Sequence, residues 1–321
     1  MTKILLHAGT HKTGTTTLQA ANAHFALAAA IAEFGAEDRA RLAAFTGHLR
    51  AVSPDFTHVV LSAESLYRYT LDIESKPGLE DPAVSDSEQR RLREAYVARL
   101  AEVLAGFDVE VVLYFRRVDR FAESLYSEAI VSTRAAPRFA GFLAVRPALF
   151  DYRFQIDLFS RHFPVRACGF EQKARGGLVE SFFRDNGLGP ACPAPPALRA
   201  SIPPQAALWM RRAKRGRRMS IRERRRRWLF ALQPQIARKL FGAGTPSSFW
   251  PDLAARDVFI ARYQHAVPEI DFPVPDPDIA PTCIWTGAMH QRAERRFLNW
   301  QERRADWIAA REEARKQPFM P

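Results

Sequence analysis

The sequence predicts a doubly wound α/β fold with a mainly parallel sheet, a phosphate-binding loop after the first strand and a C-terminal helical extension. Through the first two thirds of the chain, short apolar runs alternate with longer helical patterns, which is typical of βαβ units. Such crossovers are right-handed, so helices are expected on both faces of the sheet. The chain has 321 residues, 47% hydrophobic and 26% charged, and can therefore bury a large core.

Four strands and six helices are predicted in the first 190 residues. The strands are apolar runs of strand length: Lys3–Ala8, His58–Ser62, Val109–Phe115 and Val165–Phe170. The helices follow the longer periodic patterns: Thr15–Ala30, Glu37–Val52, Ser87–Ala105, Arg117–Ser132, Phe154–His162 and Leu178–Asn186.

The composition changes after Gly187, and the chain becomes rich in proline over residues 190–204. Pro203 and Pro204 suit the start of a helix that is expected to run to about Arg215, because proline is favoured at the first helical position. The S-x-x-E pair Ser220 and Glu223 predicts the start of a second helix, interrupted near Pro234. A final helix is expected over 289–316. We predict one domain, with residues 1–190 as the α/β core and 191–321 as a helical extension.

Several classes of protein are excluded by what the sequence lacks. Its three cysteines stand far apart, which argues against a disulfide scaffold and against a thiolate zinc site. No apolar run approaches the roughly 18 residues of a membrane helix. A strand-like run begins at Lys3, leaving no room for a signal peptide. We therefore expect a soluble cytoplasmic protein.

The net charge of +12 is concentrated in one basic tract, residues 211–227, and suggests an anionic partner. Eleven Arg or Lys residues stand there against Glu223 alone, which accounts for +10 of the total. Three interpretations remain open: a solvated helical face, a surface for an acidic acceptor, or a loop over a bound phosphate. A nucleic-acid-binding role is disfavoured, because no aromatic residue interrupts the tract.

The first predicted strand leads into Gly9-Thr10-His11-Lys12-Thr13-Gly14-Thr15-Thr16-Thr17 and then into a helical pattern. A strand, a glycine-containing turn and a helix N-terminus form an anion site, because backbone N–H groups and the helix dipole converge there. Gly14 lets the backbone approach phosphate oxygens, and Lys12 adds a full charge. Hydroxyl groups of Thr13, Thr15, Thr16 and Thr17 add donors. A threonine-rich helix cap without a ligand is the alternative.

The position of the lysine separates this loop from that of ATP and GTP enzymes. Their pattern G-x-x-x-x-G-K-[ST] has lysine after the second glycine, whereas Lys12 precedes Gly14 by two positions. The segment K-T-G-T-T resembles the 5′-phosphosulfate loop of sulfotransferases that use 3′-phosphoadenosine 5′-phosphosulfate (PAPS). The longer string G-T-H-K-T-G-T-T-T-L-Q resembles their bacterial, carbohydrate-type branch. A kinase-like phosphotransferase is the alternative that the lysine position disfavours.

A second motif follows the third predicted strand. In the sulfotransferases, an arginine at the end of a strand and a serine eight positions later bind the 3′-phosphate of the cofactor, and Arg116 and Ser124 have this separation. A planar guanidinium can bind a phosphate through two charge-assisted hydrogen bonds. The resemblance covers roughly residues 1–190 and implies a PAPS-dependent sulfotransferase of P-loop α/β fold.

The resemblance also implies the catalytic roles. Lys12 would stabilise the leaving oxygen of adenosine 3′,5′-bisphosphate (PAP), so that no metal is required. Glu64, just beyond the second strand, is our choice for the base that takes the acceptor proton, with His7 and His11 as weaker candidates. His7 is expected to be a packed strand residue. The acceptor is expected to be a hydroxyl or amine of a small molecule, in particular a carbohydrate.

Overall fold

A computed structural model of the chain describes residues 2–8, 36–52, 56–62, 64–67, 85–132, 136–145, 147–175, 177–188, 202–215, 219–242, 247–264, 266–275 and 282–316. Four strands form one parallel sheet in the order β2-β1-β3-β4. They are β1 (Lys3–His7), β2 (His58–Ser62), β3 (Asp108–Phe115) and β4 (Val165–Gly169). All four predicted strands are confirmed, and the fold is a doubly wound α/β fold.

Twelve α-helices lie within the described residues. They are α1 (Ala36–Val52), α2 (Asp86–Val103), α3 (Val118–Ser132), α4 (Phe139–Val145), α5 (Tyr152–Ser160), α6 (Phe170–Arg175), α7 (Leu178–Asp185), α8 (Pro204–Lys214), α9 (Ile221–Ala231), α10 (Pro234–Phe241), α11 (Leu253–Tyr263) and α12 (Gly287–Lys316). Two 3₁₀ turns, Glu64–Tyr67 and Pro147–Leu149, complete the elements. The predicted helix Thr15–Ala30 lies outside the described residues.

A capping serine and a proline, both recognisable in the sequence, set the boundaries of α9 and α10. Ser220 Oγ accepts a hydrogen bond from the backbone N–H of Glu223 at 3.1 Å, so the predicted cap at the start of α9 is confirmed. Pro234 begins α10 instead of continuing α9, because proline offers no N–H for the helical ladder. The end of the fourth strand was predicted one residue too late, since Phe170 begins α6.

The chain divides into two compact units. The sheet unit consists of Met1–Tyr126, Arg138–Arg199 and Trp250–Ile279, and the helical unit consists of Ser127–Pro137, Ala200–Phe249 and Ala280–Pro321. The predicted single domain with a boundary at 190 stays a prediction. None of the described helices combines the length and apolar character needed to cross a membrane.

The core of the sheet unit lies on its two central strands. Ile4, Leu5 and Leu6 of β1 are at most 1% exposed. In β3 the whole run 111–115 is equally buried. Side chains of a strand alternate between faces, so burial of consecutive residues means that both faces of the sheet are covered. The central strands are therefore fixed in register, and the segments that follow them start from rigid positions.

Candidate functional site

Three of the predicted site segments follow three adjacent strands at one edge of the sheet. β1 pairs in parallel with β2 on one side and with β3 on the other, so the carboxyl ends of all three strands lie toward the same edge of the sheet, and β3 continues beyond the last pair, His7–Val112, to Phe115. Glu64 comes two residues after β2, residues 9–17 follow β1, and Arg116 follows β3 directly. The chain passes from β1 to β2 on one side and from β3 to β4 on the other. The ends of β1 and β3 therefore form the topological switch point, where open α/β sheets bind ligands.

The predicted phosphate-binding loop itself lies outside the described residues, with Lys12, Thr13, Gly14, Thr15, Thr16, Thr17 and the alternative base His11. Its starting point is well defined. The backbone N–H of Ala8 donates to the carbonyl of Val112 in β3 at 3.1 Å, and Ala8 is fully buried. Ala8 therefore lies directly beside β3, the strand that Arg116 follows.

His7 is a packed strand residue, as predicted. The ring is completely buried, and its Nδ1 lies 2.9 Å from Ser62 Oγ on β2. Tyr114 and Phe182 pack against it edge to face, with ring centroids 5.1 and 5.3 Å away. This packing joins β1 to both neighbouring strands and to α7.

Arg116 combines burial with partial access to solvent. Its side chain is 28% exposed, its Nε lies 3.6 Å from Glu171 Oε1, and its guanidinium lies 5.8 Å from the Phe170 ring. Burial lowers the pKa of Arg116, Glu171 opposes this shift, and the charge of Arg120 adds to it. An anionic ligand here would offset both the burial and the repulsion between the two arginines.

Arg117 has a structural role, and its chemistry differs from that of its neighbour. Its guanidinium donates two hydrogen bonds to the Asp119 carboxylate, at 2.7 and 3.0 Å, and a third to the carbonyl of Val274 at 3.3 Å. Both members of the pair are at most 4% exposed. The backbone N–H of Arg117 donates to both carboxylate oxygens of Glu171. Arg116 is thus the better candidate for a phosphate ligand, as its spacing from Ser124 predicts.

Two buried tyrosines hold the backbone of the site. Tyr152 donates its hydroxyl to the carbonyl of Arg116 at 2.6 Å and packs on Phe115 with ring centroids 4.5 Å apart. Tyr67 donates to the carbonyl of Leu149 at 2.8 Å, and its ring also packs on Phe115. Tyr67 belongs to the same 3₁₀ turn as Glu64. The turn that carries the predicted base is therefore packed against the end of β3.

Ser124 lies on the second turn of α3, about 9 Å of helix rise beyond Val118. It is half-buried, and its hydroxyl has no hydrogen-bond partner among the residues that the structure describes. In the same helix, Ser132 Oγ donates to the carbonyl of Glu128. The Ser124 hydroxyl can thus donate to a ligand.

Arg120 is a candidate that the sequence reasoning missed. It stands four residues before Ser124, on the same face of α3, and is exposed. Its Nη1 lies 3.8 Å from Glu123, a loose contact. The spacing of four was visible in the sequence and could have indicated Arg120 as a third ligand for the same anion.

The basic tract in the helical unit is not one uniformly solvated face. Among its described members, Arg212, Arg215, Arg222, Arg225 and Arg226 are exposed and Arg211 is half-buried, whereas Lys214, Arg224 and Arg227 are buried. Arg227 donates to Glu294 at 2.9 Å and lies over the rings of Trp209 and Phe297. The prediction of a solvated face is confirmed for the exposed arginines and is wrong for Lys214, Arg224 and Arg227. The buried arginines stabilise the core of the helical unit.

Comparisons of this chain with protein-family models, with curated proteins and with solved structures find no match.

The different roles of the two arginines predict different costs of truncation. Arg117→Ala should lower the free energy of unfolding by about 3 to 5 kcal/mol, because it leaves the Asp119 carboxylate buried without its partner. Arg116→Ala should cost about 1 kcal/mol, since its ion pair is partly exposed and longer. Urea denaturation measures both.

A double variant separates pairing from packing. Arg117→Met with Asp119→Leu removes both buried charges and should recover part of the stability lost in Arg117→Ala. Equal losses in Arg116→Ala and Arg117→Ala would contradict the assignment of Arg117 to structure.

Proposed function

We propose that the protein is a PAPS-dependent sulfotransferase that transfers a sulfuryl group to a hydroxyl or amine of an acceptor, with a carbohydrate as the expected acceptor class. The observation that carries the proposal is the adjacency of β1 and β3 in the sheet. The K-T-G-T-T loop follows one strand and Arg116 follows the other. Two motifs that stand about 100 residues apart in sequence therefore start from neighbouring strand ends, as one bound bisphosphate requires.

Arg116, Ser124 and Arg120 would bind the 3′-phosphate of the cofactor. Their support is that the charge of Arg120 lowers the pKa of Arg116, which an anion would reverse, and that the Ser124 hydroxyl has no hydrogen-bond partner among the described residues. Thr13 to Thr17, through their backbone N–H groups and hydroxyls, would bind the 5′-phosphosulfate. β1 and β3 are one interstrand spacing apart, about 5 Å. One nucleotide could thus contact both segments.

The proposed reaction forms one bond and breaks one. The acceptor oxygen or nitrogen attacks the sulfur of PAPS, and the bond between sulfur and the 5′-phosphate oxygen breaks with its electron pair remaining on PAP. The acceptor proton passes to the Glu64 carboxylate. Lys12 offsets the negative charge that develops on the leaving oxygen, so no divalent metal is needed. We propose the cytoplasm as the location of this reaction.

The alternative functions have weaker support. A kinase-like phosphotransferase would place its lysine after Gly14, where this chain has Thr15. A nucleic-acid-binding surface at 211–227 would need solvent-accessible cations. Three cations of the tract, Lys214, Arg224 and Arg227, are buried in the helical unit.

Ligand-dependent stability tests the cofactor. PAP should raise the melting midpoint of the full chain in EDTA, because at about 100 times its dissociation constant a ligand adds roughly 2.7 kcal/mol. Each kcal/mol moves the midpoint by about 2 to 4 °C in a protein of this size. ATP in EDTA should have little effect, since it lacks the 3′-phosphate.

Arg161→Ala provides the matched control for Arg116→Ala in this assay. Arg161 is an exposed arginine that follows α5 and precedes β4, at the opposite edge of the sheet. The PAP-induced shift should persist in Arg161→Ala and shrink in Arg116→Ala. A shift produced only by ATP with magnesium would overturn the proposal in favour of the kinase-like alternative.

Turnover tests the proposed base. Glu64→Gln keeps the shape of the side chain but removes the proton acceptor, so turnover should fall by about 10² to 10⁴ while PAP affinity stays nearly unchanged. Transfer of labelled sulfate from PAPS to a panel of sugars, amino sugars and p-nitrophenol measures it. Glu102→Gln, an exposed residue at the far end of α2, is the control. Near-normal turnover in Glu64→Gln would remove Glu64 from the mechanism.

A further inference from the structure

The helical unit contains a cavity of about 710 Å³. Three of its helices line it: the end of α9, the start of α10 and the middle of α12. The break between α9 and α10 at Pro234 helps to form it, because the chain turns there instead of extending one long helix. Phe230 packs on Trp300, with ring centroids 5.7 Å apart, and closes one side. Its volume falls in the range of about 300 to 1,000 Å³ that small-molecule sites occupy.

The charge on the cavity walls has one sign. Arg296 and Arg303 line it, both are exposed, and neither pairs with a carboxylate among the residues that the structure describes. They stand seven residues apart on α12, two helical turns, and therefore face the same side. No aspartate or glutamate belongs to the described lining. Two guanidinium groups on one wall favour a ligand with negative charge.

The remaining polar lining consists of amides. Gln233, Gln235 and Asn299 all border the cavity. An amide side chain both donates and accepts hydrogen bonds, so it complements hydroxyl groups, which do the same. Gln233 is also the residue before the first turn of α10, and its side chain does not cap that helix. Amides in this number fit a polyhydroxylated ligand better than an inorganic anion, which only accepts.

Aromatic surface completes the site. Trp300 is half-buried and lines the cavity between the two arginines, with Phe297 stacked on it at a centroid distance of 6.0 Å. Phe297 and the Arg304 guanidinium, which lies 5.4 Å from the centroid of the Trp300 ring, fix the indole before a ligand binds and leave the part of its surface that lines the cavity for contact. The C–H face of a sugar ring is apolar and can pack on such a wall while its hydroxyls reach the amides.

We propose that this cavity binds an anionic saccharide, one whose sugar ring carries a carboxylate or sulfate. Arg296 and Arg303 would bind the anionic group, the amides would bind the ring hydroxyls, and Trp300 would contact the ring. The site lies entirely within the helical unit and depends on neither PAPS nor the proposed transfer reaction.

Isothermal titration calorimetry of the full chain, in the absence of PAP, tests whether the cavity binds an anionic saccharide. The probes are an unsaturated disaccharide from chondroitin sulfate, the neutral disaccharide cellobiose, inorganic sulfate and AMP. The acidic disaccharide should bind at least about tenfold more tightly than each of the others, because cellobiose lacks the charge, inorganic sulfate lacks the sugar, and AMP presents a ribose phosphate in place of an acidic pyranose.

A matched pair of double variants shows whether binding occurs in the cavity. Arg296→Gln with Arg303→Gln should weaken disaccharide binding at least about tenfold. Arg222→Gln with Arg225→Gln removes the same charge from exposed positions on α9 outside the lining and should leave binding within about twofold. Circular dichroism confirms that both variants are folded.

The proposal is overturned by any of three results. These are no detectable binding of the acidic disaccharide, equal weakening in the two double variants, or binding of sulfate or AMP as tight as that of the disaccharide. The last result would define a general anion or nucleotide site. Because no PAPS is present, failure here leaves the proposed sulfuryl transfer untouched.

Discussion

The parallel pairing of β1 with both β2 and β3 is the constraint on which the rest of the site depends. Lys3 lies opposite His58 on one side and Asp108 on the other, and the pairing continues to His7, which lies opposite Ser62 of β2 and Val112 of β3. A shift of one residue would turn every side chain of β1 to the other face. Burial on both faces prevents that shift, so the segments after the three strands leave the sheet together. Without this register, the three candidate segments would not start at the same edge of the sheet; they are the loop at 9–17, Glu64 and Arg116.

Burial also distinguishes neighbouring residues of the same type. Arg117 is enclosed with Asp119, whereas Arg116 keeps 28% of its side chain exposed. Their backbone is held by the hydroxyl of Tyr152 and the carboxylate of Glu171. These contacts fix the direction in which the chain leaves β3. A guanidinium held in this way loses less conformational entropy when it binds an anion, which favours tight binding.

The fold was predictable from the sequence because its strands are short apolar runs, and each predicted strand end lies within one residue of the observed one. The candidate residues Arg116 and Ser124 come from motif spacing, which is local, and their role stays a prediction. The partners of Arg116 were not predictable from the sequence. Glu171 and Tyr152 contact it from distant parts of the chain, and such contacts depend on tertiary packing. Burial of Arg224 and Arg227 was also missed, although with Ala231 they follow the spacing of one helical face. Arginine stems can be buried under aromatic rings, and a count of charges does not reveal this.

The central claim is that Arg116 binds the 3′-phosphate of a bisphosphate whose other end lies on the loop after β1. The most direct measurement is a cycle of four dissociation constants, for PAP and AMP with the wild type and with Arg116→Ala. AMP lacks only the 3′-phosphate. The account predicts that Arg116→Ala weakens PAP binding by about 10- to 100-fold, as expected for hydrogen bonds to a charged group, and AMP binding by less than about twofold. Equal weakening of both ligands would contradict it.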